Sequence, residues 1–394
     1  MATEMMPTAD FVARAVALQS LLARNAPTSD AERRIPDENI AALAEAGLLS
    51  LGVPRRFGGG EAPLRTQLEV SAALGRGCGS TGWVAQIING AGVVAGMFSD
   101  RAQQDVWGAN PGARVVGSMA ATKDVVRVDG GWEISGSWPW LSGSYHADWA
   151  FLIFPLPNEA GAAREMVFSL VPLASGRIED TWFVTGMRGT CSNTLHLDKV
   201  FVPDHRVLPG LPALEGKVAT EHREEALYRS ALGPMLILIL VGSQIGLAQG
   251  AVDLIRQKAL TRGITYTSYT TQSESVGFQI QVGEAAAQID AARLLALDAA
   301  ERIDRAASNG EHLPYGERVR IRAEAAWVCR QLRRAVGDLI DAHGASTFAE
   351  ANPLQRIWRD LNAAARHAML TTQVGFEIYG KQLLGREERI SPLL

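Results

Sequence analysis

The chain has 394 residues, 47% hydrophobic and 20% charged, with 38 Lys+Arg against 42 Asp+Glu and a formal charge of −4. This profile excludes a basic nucleic-acid binder, an acidic disordered protein and a disulfide-stapled mini-domain; at roughly 100–200 residues per domain it implies two or three domains. Its three cysteines, Cys78, Cys191 and Cys329, are far apart and form no C-x-x-C pair, which fits a reducing, cytoplasmic compartment.

At the N-terminus, MATEMMPTADF places Glu4 and Asp10 where a signal peptide would be basic and then apolar, so no targeting segment is expected. Short helices follow. Asp37 can cap one whose residues Ile40, Leu43 and Ala44 share a face, with Gly47 placed to end it. A loop runs through Val53–Gly60, and two apolar helical stretches cover Leu68–Leu74 and Trp83 to Val94.

Near Ala113 the period changes. Val115, Val116, Val126, Val128, Trp132 and Ile134 alternate as strands around an Asp129-Gly130-Gly131 hairpin turn, and further strands are expected at 149–154, 166–171, 178–183 and 194–202. With no helix-length spacer between them, the strands are expected to be antiparallel. From about Ala219 the sequence is helical, in four long segments near 226–262, 277–308, 316–342 and 353–380. The longest apolar run, Met235–Val241, lies in the first of these and falls short of the ~18 residues of a membrane span, so it reads as core. The fold class is therefore α+β: a helical domain over 1–113, a middle β-domain over 114–218 and a C-terminal four-helix bundle over 219–394.

Most chemical motifs are missing. Gly75-Arg-Gly-Cys-Gly79 follows a helix rather than a strand and lacks the third spaced glycine of a dinucleotide loop; there is no P-loop, no G-x-S-x-G and no H-E-x-x-H. The seven histidines show no helical pairing for a metal, and none is expected. Tryptophan is the informative residue. Five of nine, Trp132, Trp138, Trp140, Trp149 and Trp182, fall in the β-domain, densest at Ser137-Trp-Pro-Trp-Leu-Ser-Gly-Ser-Tyr-His146. Flat rings beside hydroxyls suit a planar redox heterocycle; a tryptophan-rich β core is the alternative.

Several strings, in order along nearly the whole chain, carry a family resemblance: Gly79-Ser-Thr-Gly-Trp-Val84, Trp138-Pro-Trp-Leu-Ser-Gly143, His146-Ala-Asp-Trp149, Gly186-Met-Arg-Gly-Thr190 with Ser192-Asn193, Val202-Pro-Asp-His205 and Pro353-Leu-Gln-Arg-Ile-Trp-Arg-Asp360. The chain resembles the acyl-CoA dehydrogenase superfamily, and within it the two-component flavin-dependent monooxygenases. The dehydrogenases use a glutamate base at one of two places. Here these read Arg359-Asp-Leu-Asn-Ala-Ala-Ala-Arg-His-Ala368 and Met235–Val241, and neither offers one; Glu377, the only nearby acid, reads as helix surface. His367 stands there instead.

The resemblance implies reduced FAD, or FMN, delivered by a separate reductase, reaction with O2 to a C4a-hydroperoxide, and hydroxylation of an aromatic or heteroaromatic small molecule. Rival functions are an acyl-CoA dehydrogenase, an N- or S-oxygenase on the same scaffold, and a flavin-binding protein without catalysis. It implies that Ser142 sits near flavin N5, that Ser118 is a second flavin-side serine, and that Trp138 flanks the ring. His367, with an unperturbed pKa near ~6.5, is expected either to deprotonate a phenol or indole N–H and later return a proton, or to steady the peroxide. Arg262 matches an arginine that pairs with the pyrophosphate, and His343-Gly344 a segment reaching a neighbour's cofactor in a homotetramer. Trp83 and Asn89, with Gln86, are the expected substrate contacts. Phenol-hydroxylating relatives often carry a histidine on that helix and this chain does not, which gives weight to a neutral ring such as indole. No membrane or nucleic-acid partner is expected.

Overall fold

A computed structural model describes residues 8–121, 124–156, 165–386 and 388–394; the N-terminal residues 1–7, including the Glu4 used in reading the chain start, lie outside them. Six helices form the N-terminal part: α1 (Thr8–Ala17), α2 (Gln19–Glu32), α3 (Asp37–Glu45), α4 (Leu64–Gly77), α5 (Gly79–Gly96) and α6 (Asp100–Trp107). The middle part holds β1 (Val115–Ala121), β2 (Asp124–Val128), β3 (Gly131–Leu141), β4 (Trp149–Pro155), β5 (Met166–Pro172), β6 (Arg177–Glu179), β7 (Asn193–Pro203) and β8 (Val207–Pro209), then the short α7 (Gly210–Leu214). The last part comprises α8 (Leu232–Leu238), α9 (Gly242–Ala259), α10 (Val276–Ser308), α11 (Tyr315–His343), α12 (Pro353–Ala364) and α13 (Thr372–Leu383).

Two four-stranded sheets make the β-domain, ordered β1-β4-β5-β8 and β2-β3-β7-β6. The expected β2–β3 hairpin is present, with Val128 opposite Gly131. The expectation of an all-antiparallel domain fails at one pair: β1 and β4 run parallel. No crossover helix is needed, because the chain leaves β1, forms the hairpin in the other sheet, and returns as β4 in the original direction. The sheets bury Val116, Trp138, Leu152, Phe154, Leu195 and Leu197 with residues of the N-terminal helices.

Two of the four expected bundle segments are broken. The first divides into α8 and α9; the last divides into α12 and α13 across Ala365–Thr371, although Ala363-Ala-Ala-Arg-His-Ala-Met contains no helix breaker. His367 there adopts φ −54°, ψ 137°, and its Nδ1 accepts the Met369 N–H, capping a short helical turn. A side-chain acceptor thus replaces the lost backbone bond. The stretch Leu232–Ala259 is long and apolar enough to cross a membrane by composition, but 89% of its most apolar window is buried among other elements.

The glycines at the end of α4 have a packing role. A Cβ on Gly75 would lie 2.5 Å from the Ser243 carbonyl oxygen, one on Gly82 would lie 2.7 Å from the Gly75 nitrogen, and one on Gly246 would overlap the Ala72 carbonyl. Helix α4 therefore crosses both α5 and α9 backbone to backbone, where no side chain fits. Gly246→Ala is expected to destabilise the protein by about 3 kcal/mol, the upper range for forcing volume into a packed interior. Denaturant unfolding would read this; an unchanged midpoint would mean that α9 shifts to admit the methyl group.

Candidate active site

Helix α5 presents Trp83, Ile87 and Ala91, spaced four residues apart, along one face towards the β-domain. Opposite stand the end of β3, the 182–192 loop and the break between α12 and α13. Between them lie two adjoining cavities of about 720 and 420 Å3, which share Ile87, Gly117, Trp140, His367 and Ala368 as walls. A wider groove of about 890 Å3 between α9 and the start of α10 lacks such convergence, and its Arg76 and Asp253 pair with each other.

The expected ring-flanking tryptophan is corrected. Trp138 is wholly buried between the sheets, its Nε1 donating to the Ile153 carbonyl at 3.1 Å, and it touches neither cavity. Trp140 lines both. Strand alternation would put residues 138 and 140 on the same face. The β3–β7 register breaks between Trp138 and Leu141, and Trp140 takes φ +61°, so its ring leaves the core and is 67% exposed into the cavities. Trp83 and Trp182 add two more indoles.

Asn89 is also corrected. Its Oδ1 accepts the Leu51 N–H and its Nδ2 donates to the Leu48 carbonyl, so it ties α5 to the preceding loop, away from the Trp83–Ile87–Ala91 face. Gln86 is likewise buried and lines neither cavity.

Ser142 belongs to a chain of hydroxyls. Trp83 Nε1 donates to Ser142 Oγ at 3.2 Å; Ser142 and Ser192 are bonded at 2.7 Å, Ser192 and Thr190 at 2.7 Å, and Thr190 Oγ1 donates to the Met187 carbonyl at 2.9 Å. The two ends settle the proton order, because an indole N–H only donates and a carbonyl only accepts. Thr190 spends its single proton on Met187, so Ser192 donates to Thr190 and Ser142 donates to Ser192. Ser142, having accepted from Trp83, offers the cavity a lone pair and no hydrogen. Ser118 is similarly committed: its Oγ donates to the Pro139 carbonyl and accepts the Ala120 N–H, stapling β1 to the Trp-Pro-Trp turn at the wall of the smaller cavity.

Met187 organises this loop from an αL conformation, φ +55°. Its N–H donates to Asp360 Oδ1 at 2.6 Å, and its carbonyl also accepts Trp182 Nε1 at 2.9 Å. Burial pushes the Asp360 carboxyl up to about 6. A Cβ on Gly186 would run into the Arg359 carbonyl, so the loop rests directly on α12.

His367 stands where the cavities meet, 6.0 Å from the Trp83 ring centroid. The ring is exposed into the void yet enclosed by protein, and burial pushes its pKa down to about 4. The expected value near ~6.5 is therefore replaced by a neutral imidazole at physiological pH. Since Nδ1 accepts from Met369, the proton sits on Nε2, and His367 presents a donor rather than a free base.

Arg262, His343 and Gly344 form a separate cluster that lines neither cavity. Arg262 Nη1 donates to Ser346 Oγ and lies 3.4 Å from His343 Nε2, while His343 Nδ1 bonds Gln272 Oε1 at 3.1 Å. Burial, then the nearby Arg262 and Lys258 charges, push His343 down to about 4. Gly344 ends α11 with φ +81°. Trp140 and Trp182 were expected only as members of the β-domain tryptophan group, and Thr190 and Met187 had no expected role; a bulge cannot be read from alternation, but the i, i+4, i+8 spacing on α5 would have pointed to Ile87 rather than Asn89.

Residues 10–109 match the model of the acyl-CoA dehydrogenase N-terminal domain and residues 238–372 that of the C-terminal domain. The FADH2-dependent resorcinol hydroxylase oxygenase component of a Rhizobium species is 34% identical, over 97% of this chain and 96% of its own length. The HsaA oxygenase subunit of a flavin-dependent monooxygenase from Rhodococcus jostii is 32% identical over 92% and 95%. The structure of XiaF from a Streptomyces species in complex with FADH2 and glycerol superposes with a TM-score of 0.92 at 36% identity, covering 98% of both chains. Isotope-edited NMR of the histidine rings should show His367 titrating near pH 4; a midpoint near 6.5 would show a solvated ring and return it to service as a base.

Proposed function

The chain belongs to the acyl-CoA dehydrogenase family, and on that footing we propose that it is the oxygenase component of a two-component flavin-dependent monooxygenase, hydroxylating an aromatic or heteroaromatic small molecule with reduced flavin from a separate reductase. The observation that carries this reading is the site's chemistry. No carboxylate lines either cavity among the described residues, and a neutral histidine stands where they join. A dehydrogenase must take a proton from carbon α to a thioester, and nothing here is placed to do so; Glu377 is exposed on α13 and Asp360 is occupied by Met187.

The residues present fit a flavin. The larger cavity carries three indoles for a flat heterocycle, and the Ser142 lone pair suits a ring N–H, which reduced flavin has at N5 and oxidised flavin lacks. When bound, reduced flavin would supply the two electrons that activate O2, one atom of which enters the substrate while the other leaves as water. The protein's own contribution is order and dryness. Trp140 and Trp83 wall the site against water, Ser142 orients the cofactor edge, and His367 Nε2–H holds an oxygen of the substrate or of the oxygen being transferred.

FADH2 suits the chain better than FMN. The Arg262, Lys258 and His343 cluster has no carboxylate pairing with Arg262 or Lys258 among the described residues and suits a pyrophosphate. Because it lines neither cavity, it is best used by a cofactor held in another copy, which supports a homotetramer. Exposed Leu260, Tyr266, Val276 and Ile280 around the α9–α10 connection supply apolar surface for that contact. Three free, buried cysteines support a cytoplasmic setting.

Reduced FAD, labelled O2 and a panel of phenols and indoles should give a product carrying one labelled oxygen; if every reducing equivalent ends as hydrogen peroxide, the reading falls. His367→Ala is expected to cut product per flavin oxidised at least tenfold, and equal coupling would remove it from the site. Thr190→Val takes away the acceptor that orders the hydroxyls, so the preference for reduced over oxidised flavin should drop about three- to tenfold in anaerobic titrations, with Thr190→Ser restoring it. Equal weakening of both forms would indicate a packing role only.

A further inference from the structure

Helix α11 carries two buried arginines one turn apart, Arg318 and Arg322, 3% and 5% exposed. Arg318 pairs with Glu215 at 3.2 Å and donates to the Leu214 carbonyl. Among the described residues Arg322 makes one side-chain hydrogen bond, Nη1 to Ser391 Oγ at 3.2 Å, and its Nε has no partner. Neither a side-chain carboxylate nor the terminal carboxylate pairs with it among the described residues, and burial alone bears on its pKa, lowering it. A buried guanidinium without a counter-charge is strongly unfavourable unless something else supplies one.

Its position says what that is. Arg322 lines the smaller cavity, whose other walls include Phe151, Leu236 and Met369, and which joins the larger one at His367. Resting on the reading of the larger cavity as the flavin site, the smaller one is left for the substrate. We propose that Arg322 is the anion anchor of the substrate site and that the natural substrate is an aromatic carboxylate, its carboxylate on the guanidinium and its ring towards His367. A planar fork of donors matches a carboxylate in two-point contact, which a neutral ring such as indole cannot use. The anchor also does the orienting work that no histidine on α5 performs here.

The test reads binding without turnover, so it can fail independently of the oxygenase reading. The full-length protein with oxidised FAD is titrated with hydroxybenzoate, hydroxyphenylacetate and hydroxyphenylpropionate, each against its carboxamide, following quenching of tryptophan fluorescence; Trp83 and Trp140 line the cavities. At least one acid should bind about tenfold or more tightly than its amide, the effect of a charge-assisted pair. Arg322→Met should bring that ratio to near one while leaving the thermal midpoint equal or higher, because it removes a buried unpaired charge. Arg322→Lys should retain part of the preference, and Ser391→Ala should leave it intact. Equal affinity for every acid and amide, no binding by any of them, or an unchanged ratio in Arg322→Met would overturn the proposal. So would a loss of preference in Ser391→Ala matching that in Arg322→Met, since Arg322 would then act only by holding the C-terminal segment.

Discussion

The polar order of the cavity depends on one acceptor, the Met187 carbonyl. It receives the Thr190 hydroxyl and the Trp182 indole, and the first of these gifts propagates through Ser192 to Ser142. Hydroxyls are ambivalent groups, and a cluster of three would ordinarily interconvert between proton arrangements. Here a carbonyl that cannot donate stands at one end and an indole that cannot accept stands at the other, so a single arrangement satisfies every contact. The αL backbone of Met187 and Cys191 shows what the loop bears to put that carbonyl there, and the Asp360 contact from α12 shows what holds it.

The site is therefore a joint product of all three parts of the chain. Helix α5 gives the aromatic and aliphatic wall, the β-domain gives Trp140 and the hydroxyls, and the C-terminal helices give Asp360, His367 and Arg322. Each part delivers its side chains through a local departure from regularity. The strand bulge turns Trp140 out of the core, the interrupted last helix lets His367 face the void, and the left-handed turn at 187 aims a carbonyl inward. Regular elements supply rigidity, and the interruptions supply direction.

This division also explains what could be read from the residues in advance. The order of helical, β and helical parts was legible because long apolar periodicities carry it, and Ser142, Trp83 and His367, singled out because their strings match a family, all line the larger cavity. What escaped were the interruptions. Nothing in Ala364-Ala-Arg-His-Ala-Met distinguishes a capped break from a continuous helix, since the capping group is the histidine itself. The resemblance pointed to Trp138, and nothing in the string Trp-Pro-Trp shows the bulge that turns Trp140 outward instead; Asn89 was chosen for its chemistry against its helical phase. The parallel β1–β4 pair was missed because the return path ran through a second sheet rather than a helix.

The glycine crossing of α4, α5 and α9 has a consequence for how such a protein can change. With backbone against backbone at Gly75, Gly82 and Gly246, α4 is held against α5 and α9 at points that do not depend on the side chains of the outer faces. Ile87 and Ala91 on α5, and Leu236 on the adjoining α8, are then free to grow or shrink as independent panels of one wall. A lineage, or an engineer, can resize the chamber one panel at a time without moving the hydroxyls on the other side of it. New ring sizes can be explored while the oxygen chemistry stays in register.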